Sequence, residues 1–189
     1  MKKMMALALA GCVAMSLVGC GDDDDDSMGA AGTTGAAGNN GVGTGPGAAL
    51  KCESSGKNAY ETYGSAFGAV NDAIIANVTS EITANGDKNL GPSFSNSLKG
   101  GQLKNNPESF KQNLADFLVF AYGGPNNYKG RTMEAAHTGL AITQEQYDYF
   151  ITNVVVKALT DKGVPMGDVT SCFAGPVTDK TFVASIVGK

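Results

Sequence analysis

Between Val70 and Leu159 the large apolar residues recur three and four positions apart, and that spacing excludes most folds before any motif is considered. Val70, Ala73, Ile74, Val78 and Ile82 fall on one helical stripe. Phe110, Leu114, Phe117, Leu118 and Ala121 form a second, and Tyr147, Phe150, Ile151, Val154, Val155, Ala158 and Leu159 a third. The punctuation agrees. Asn106-Pro107-Glu108 predicts a helix start with a capping side chain, proline in the first turn and an acid near the dipole. Gly123-Gly124-Pro125 stops that helix. Thr143-x-x-Gln146 fits a capping box for the third, which Gly163 and Pro165 close. A last helix carries Val169, Cys172 and Phe173, with a kink or break expected at Pro176. No alternating strand pattern of useful length occurs, so the chain reads as all-α.

The first 19 residues read differently. Two lysines precede an apolar stretch too short to span a bilayer, followed by small residues, the pattern of a secretory signal peptide. Its end, Leu17-Val18-Gly19-Cys20, resembles the lipobox of bacterial lipoproteins. The resemblance implies that Cys20 is the lipid attachment site; the alternative is an ordinary signal peptide with a chance cysteine. Residues 20–50, an acylated Cys20 followed by Gly, Ala, Asp and small polar types, cannot bury enough surface to offset chain entropy and read as a disordered tether. Gly21, with no aspartate beside Cys20, favours the outer membrane over the inner one for an exported, membrane-tethered protein.

Residues 51–189 are long enough for one hydrophobic core. Five of the 18 acidic residues sit in the tether, and from Lys51 onward 13 acids face 12 lysines and arginines. A nearly neutral domain argues against nucleic acid as a partner. Cys12 leaves with the signal and Cys20 carries lipid, so Cys52 and Cys172 remain. In an oxidising compartment that pair suggests a disulfide, the alternative being two separate thiols.

His137 is the only histidine. Met133, His137 and Leu140 are spaced to share one helical face, apolar apart from the imidazole. Two readings fit: a core histidine bonded to a backbone carbonyl, or an axial ligand aimed into an apolar slot. The stretch FAYGGPNNYKGRTMEAAHTGLAIT resembles the segment of group I truncated haemoglobins that joins the distal helix to the proximal histidine. Gly123-Gly124-Pro125, Tyr128, Gly130, Met133, His137, Gly139 and Ile142-Thr143 carry it, and weaker matches extend it from about Ala59 to Val183. The resemblance implies a truncated globin, a two-over-two helical sandwich around one haem b, with His137 as proximal iron ligand. It implies a cofactor pocket of Val78, Phe94, Phe110, Leu114, Phe117, Met133, His137, Tyr147 and Phe150. Lys129 and Arg131 are either propionate partners or solvated surface cations.

The distal side departs from the family. Many members place a tyrosine on the first long helix, often with a glutamine on the distal helix. Here the tyrosine's place falls on Val78, or on Asn77 if the register slips by one, and the distal-helix positions fall on Phe110 and Leu114. A charge-assisted donor to bound oxygen contributes about 1.5–3 kcal/mol. Its loss weakens oxygen roughly tenfold to a hundredfold.

Three functions follow. The first is a lipid-tethered haem protein that reversibly binds a diatomic gas (oxygen, nitric oxide or carbon monoxide). The second is a nitric oxide dioxygenase or peroxidase, which would need a redox partner. The third is a haem-free surface binding module of globin shape.

Overall fold

The computed structural model describes residues 45–189, and every regular element among them is helical. The signal peptide, Cys20 and most of the tether lie outside the described residues. Helix α1 (Ala59–Tyr63) starts with a capping box: Asn58 Oδ1 accepts from the Glu61 N–H at 2.7 Å, and Glu61 Oε2 accepts from the Asn58 N–H at 3.1 Å. After one 3-10 turn, α2 (Phe67–Asn85) buries Val70, Ile74 and Val78, the expected stripe, along α5 and α8. Then come α3 (Pro92–Lys99), α4 (Gln102–Asn105), α5 (Pro107–Ala121) and the short α6 (Met133–His137).

The third apolar stripe forms α7 (Gln144–Tyr149), a π-helical segment (Phe150–Val156) and α8 (Lys157–Asp161). Both halves of the Thr143/Gln146 capping box are present. The last stretch repeats the device, with α9 (Met166–Asp168), a π segment (Val169–Phe173) and α10 (Ala174–Thr178), followed by α11 (Lys180–Ala184).

Two helix-end expectations need correction. Pro107 is at the start of α5, but the Asn106 side chain caps nothing. Asn106 also closes α4, its N–H donating to Gln102 O, and its backbone lies outside the extended region that a capping residue normally adopts. Pro176 does not end the last helix, which continues to Thr178. The wide π turn just before it relaxes the i−4 crowding that proline brings. The break comes at Asp179, whose side chain accepts from the Thr181 and Phe182 N–H groups and starts α11.

The main core holds Phe67, Val70, Ile74, Val78, Leu90, Tyr122, Val154, Leu159, Val169 and Phe173, with Cys52 and Cys172 bonded at a Cα–Cα distance of 4.8 Å. Burying a residue such as Phe67 contributes about 1.5–3 kcal/mol. Beside the disulfide, Asp168 is buried and accepts hydrogen bonds from the Ser54 N–H (2.8 Å) and from the hydroxyls of Ser54 and Tyr63. Burial alone would raise the Asp168 pKa; these hydrogen bonds outweigh it and hold the carboxyl below its ordinary value. A second, smaller cluster gathers Ile142, Tyr147 and Ile186, with Met133, Ile151, Phe182, Val183 and Val187 packed on it.

Residues 45–50, grouped with the tether by composition, pack against the end of α5. Gly47 N–H donates to Ala121 O at 2.7 Å, and Leu50 rests on the main core.

Candidate functional site

The loop from α5 to α6 shows why its glycines are needed. Gly123 has φ +94°, and a Cβ there would come within 2.7 Å of the Asn58 amide nitrogen. A Cβ on Gly124 would lie 2.6 Å from Val119 Cγ1 and 2.7 Å from the Tyr60 ring. The N-terminal segment closes over this corner, Tyr60 N–H donating to Tyr122 O at 3.1 Å. Further on, Tyr128 folds back so closely that a Cβ on Gly130 would be 2.4 Å from its hydroxyl. That hydroxyl donates to Arg131 O at 2.6 Å, and the ring meets Phe117 edge-on at 5.6 Å between centroids. Burial raises the Tyr128 pKa, against the lowering effect of Arg131.

The loop delivers α6. Thr132 caps it, its side chain accepting from the Ala135 N–H at 3.2 Å. His137 is the last residue of the helix and is half-buried. Its Nδ1 pairs with the Met133 carbonyl at 2.7 Å. A carbonyl can only accept, so Nδ1 carries a proton, and in the neutral tautomer the lone pair is on Nε2. Both sequence readings of His137 meet here, since a carbonyl bond at one nitrogen is also how a ligating imidazole is oriented. Leu140 does not extend the face it was expected to share: it lies past the helix end and is exposed.

Helix α5 buries only Ala121 along its 15 residues. Phe110, Leu114 and Phe117, spaced four and three apart, are each half-buried. Leu114 and Phe117 touch the main core, whereas Phe110 joins neither cluster. Phe94 stacks on Phe150 at 5.3 Å, and both border the main core. Val78 lies within that core, and Met133 and Tyr147 belong to the smaller cluster. Tyr147 is turned from the α5 side: its hydroxyl donates to Val177 O at 2.6 Å. There it lines a cavity of about 310 Å³, in which Gln144 also donates to Asp148. Asn77 donates its side-chain amide to Val154 O at 3.2 Å. Lys129 and Arg131 are exposed.

Phe182, absent from the sequence-derived pocket, stacks on Phe117 at 6.0 Å between centroids and 13° between planes. It joins the α5 face to the smaller cluster. The spacing Phe182, Val183, Ile186, Val187 is a legible apolar stripe that would have revealed this element.

Residues 91–175 match the family described as bacterial-like globin. The group 1 truncated hemoglobin of Tetrahymena thermophila is 37% identical over 59 residues, 31% of this chain and 48% of that protein. That of Tetrahymena pyriformis is 41% identical over 49 residues, 26% of this chain and 40% of that protein. The chain thus spans about half or less of the curated relatives it matches. Among solved structures, a tyrosine-to-phenylalanine variant of Tetrahymena pyriformis truncated hemoglobin, in its Fe(III) form, superimposes with a TM-score of 0.55. Identity is 24%, over 70% of this chain and all of that one. A glutamine-to-glutamate variant gives 0.54 at the same identity, over 69% and 97%. The domain has the truncated-globin fold, and its residues 91–175 match the bacterial-like globin family.

The fold is all-α and globin-like, with α2 packed against α5 and against α8 with the π segment before it. Haem requires an apolar slot and an imidazole with a free lone pair. The residues present fit that requirement: Phe110, Leu114 and Phe117 form an apolar face without full cover, and His137 is held through Nδ1, which leaves Nε2 for a metal.

Proposed function

We propose that this globin holds haem b through His137 and reversibly binds a diatomic gas, oxygen among them. The observation that carries the reading is the His137 Nδ1 bond to Met133 O, in a domain whose helix α5 leaves Phe110, Leu114 and Phe117 only half-buried. When bound, haem supplies an iron with one coordination position open to a gas. Phe94, Phe110, Leu114, Phe117 and Phe150 would surround the ring and exclude water. The Val78 side chain has no hydrogen to donate, and the Asn77 amide is pointed at Val154 O by one of its two hydrogens, so α2 holds no donor ready for a bound gas at these positions. Oxygen is then held weakly and leaves quickly. The absence of such a donor also argues against oxygen-dependent nitric oxide dioxygenation.

The decisive experiment is an absorbance spectrum of the purified protein and of His137→Ala. A Soret band in the parent that is lost or weakened in the variant, and restored by added imidazole, supports the assignment. An unchanged spectrum with full haem retention in the variant overturns it.

A membrane anchor at Cys20 is part of the same proposal. It is supported by the apolar run that ends in Leu17-Val18-Gly19-Cys20. Among the described residues no helix is long and apolar enough to cross a membrane. Cys20→Ser should move the protein from the membrane fraction to the soluble one. Continued membrane association, with no acyl mass on the parent, would refute the anchor.

A further inference from the structure

Helix α6 is a little over one turn long, and a helix that short does not hold itself. Just past His137 the chain passes through Gly139 and then Ala141, whose φ is +50°. Among the described residues Ala141 is the one non-glycine residue with positive φ. Such a conformation persists where surrounding structure imposes it. Here Ala141 N–H donates to Lys189 O at 2.8 Å, and Gly188 N–H donates to Ile142 O at 2.9 Å. Lys189 Nζ also reaches Glu134, on α6 itself, at 2.8 Å. Beneath these bonds Ile186 is buried with Ile142 and Tyr147, and Met133 of α6 rests on the same cluster. Ser93, next to Phe94, donates its hydroxyl to Leu140 O from the other side.

We infer that residues 186–189 are a strap that positions the His137 segment, fixing how firmly the imidazole is aimed. Its consequence for haem rests on the function proposed above. The exposed Lys189–Glu134 pair adds little, as surface pairs do. The two backbone hydrogen bonds and the buried Ile186 carry the hold. The strap lies beyond residues 91–175, so it is outside the segment that the family match covers.

Gly188→Pro tests the strap. Proline removes the N–H that reaches Ile142 and cannot adopt the φ of +75° found at this position. Gly188→Asn keeps the donor and tolerates positive φ. Ile186→Ala is a second loosening variant that leaves the backbone intact, and it decides the matter if Gly188→Pro fails to fold. Two readings are taken on the haem-loaded chain: the rate of haem transfer to excess apomyoglobin, and the iron–histidine stretching frequency of the ferrous form. The third is hydrogen–deuterium exchange at the Ala136 and Thr138 amides in haem-free protein.

The loosening variants should lose haem about tenfold faster, equivalent to about 1.4 kcal/mol, and shift the stretch. Exchange at both amides should also rise, while Gly188→Asn matches the parent. Unchanged exchange overturns the strap whatever haem does. Faster exchange with unaltered haem loss and stretch overturns its positioning role. Faster exchange in the loosening variants of a parent that takes up no haem keeps the strap and refutes the haem reading.

Discussion

Replacing Cys52 and Cys172 together by alanine tests the main structural link in the domain. The bridge joins residues 120 apart, so it closes a loop of about that length in the unfolded chain. On the chain-entropy account a loop of this size corresponds to roughly 5 kcal/mol of stabilisation, within the 2–5 kcal/mol commonly lost when a native bridge is removed. Each kcal/mol lowers Tm by about 2–4 °C in a protein of this size class, so the double variant should melt roughly 10–20 °C lower. Alanine is the right replacement, because serine would bury two hydroxyls at positions that are almost fully enclosed. Thermal unfolding by circular dichroism reads the change, with a thiol count in denaturant to establish that the parent is bridged. A fall of less than about 3 °C, corresponding to roughly 1 kcal/mol, would refute the reasoning: the unfolded chain would then gain little freedom when the bridge is cut.

Val78→Tyr should slow oxygen release at least roughly tenfold by adding the missing donor, a gain of about 1.4 kcal/mol. Slow release in the parent that Asn77→Ala accelerates would show instead that the Asn77 amide donates to the ligand. Asp168→Asn should lower stability at neutral pH and change its acid dependence. Because the folded Asp168 pKa is depressed, its contribution is fully present above the ordinary value of 3.8 and is lost as pH falls below that toward the folded value. Denaturant midpoints of parent and variant should therefore converge in acid, and a constant gap at every pH would contradict this.

The helical class, the α2, α5 and α7–α8 stripes and the Thr143 capping box were legible because each rests on local spacing. Asn58-x-x-Glu61 is an equally legible capping box, outside the three apolar stripes. The two π segments were not legible. Phe150–Val156 continues the apolar stripe without interruption, and what marks the wider turn is a tertiary partner, the Asn77 amide on Val154 O. At the site, His137 and the α5 face follow from sequence. The orientation of the imidazole does not, since it depends on a carbonyl four residues back. Phe182 and the strap were missed because they become part of the site only when α11 folds back toward α5 and α6. Tyr147 shows the converse: its spacing is shared by a pocket residue and by a residue that seals two packed helices.

The disulfide and the Asp168 hydrogen bonds have a consequence for when the domain can fold. Cys52, Ser54 and Tyr63 find their partners at residues 168–172, and Phe67 and Tyr122 pack against Phe173. A ribosome releases the first of these groups long before the second, so the core cannot close while the chain is still being made. Such long-range closure is slow. The disulfide and the carboxylate network therefore lock the domain only after its late segment has arrived.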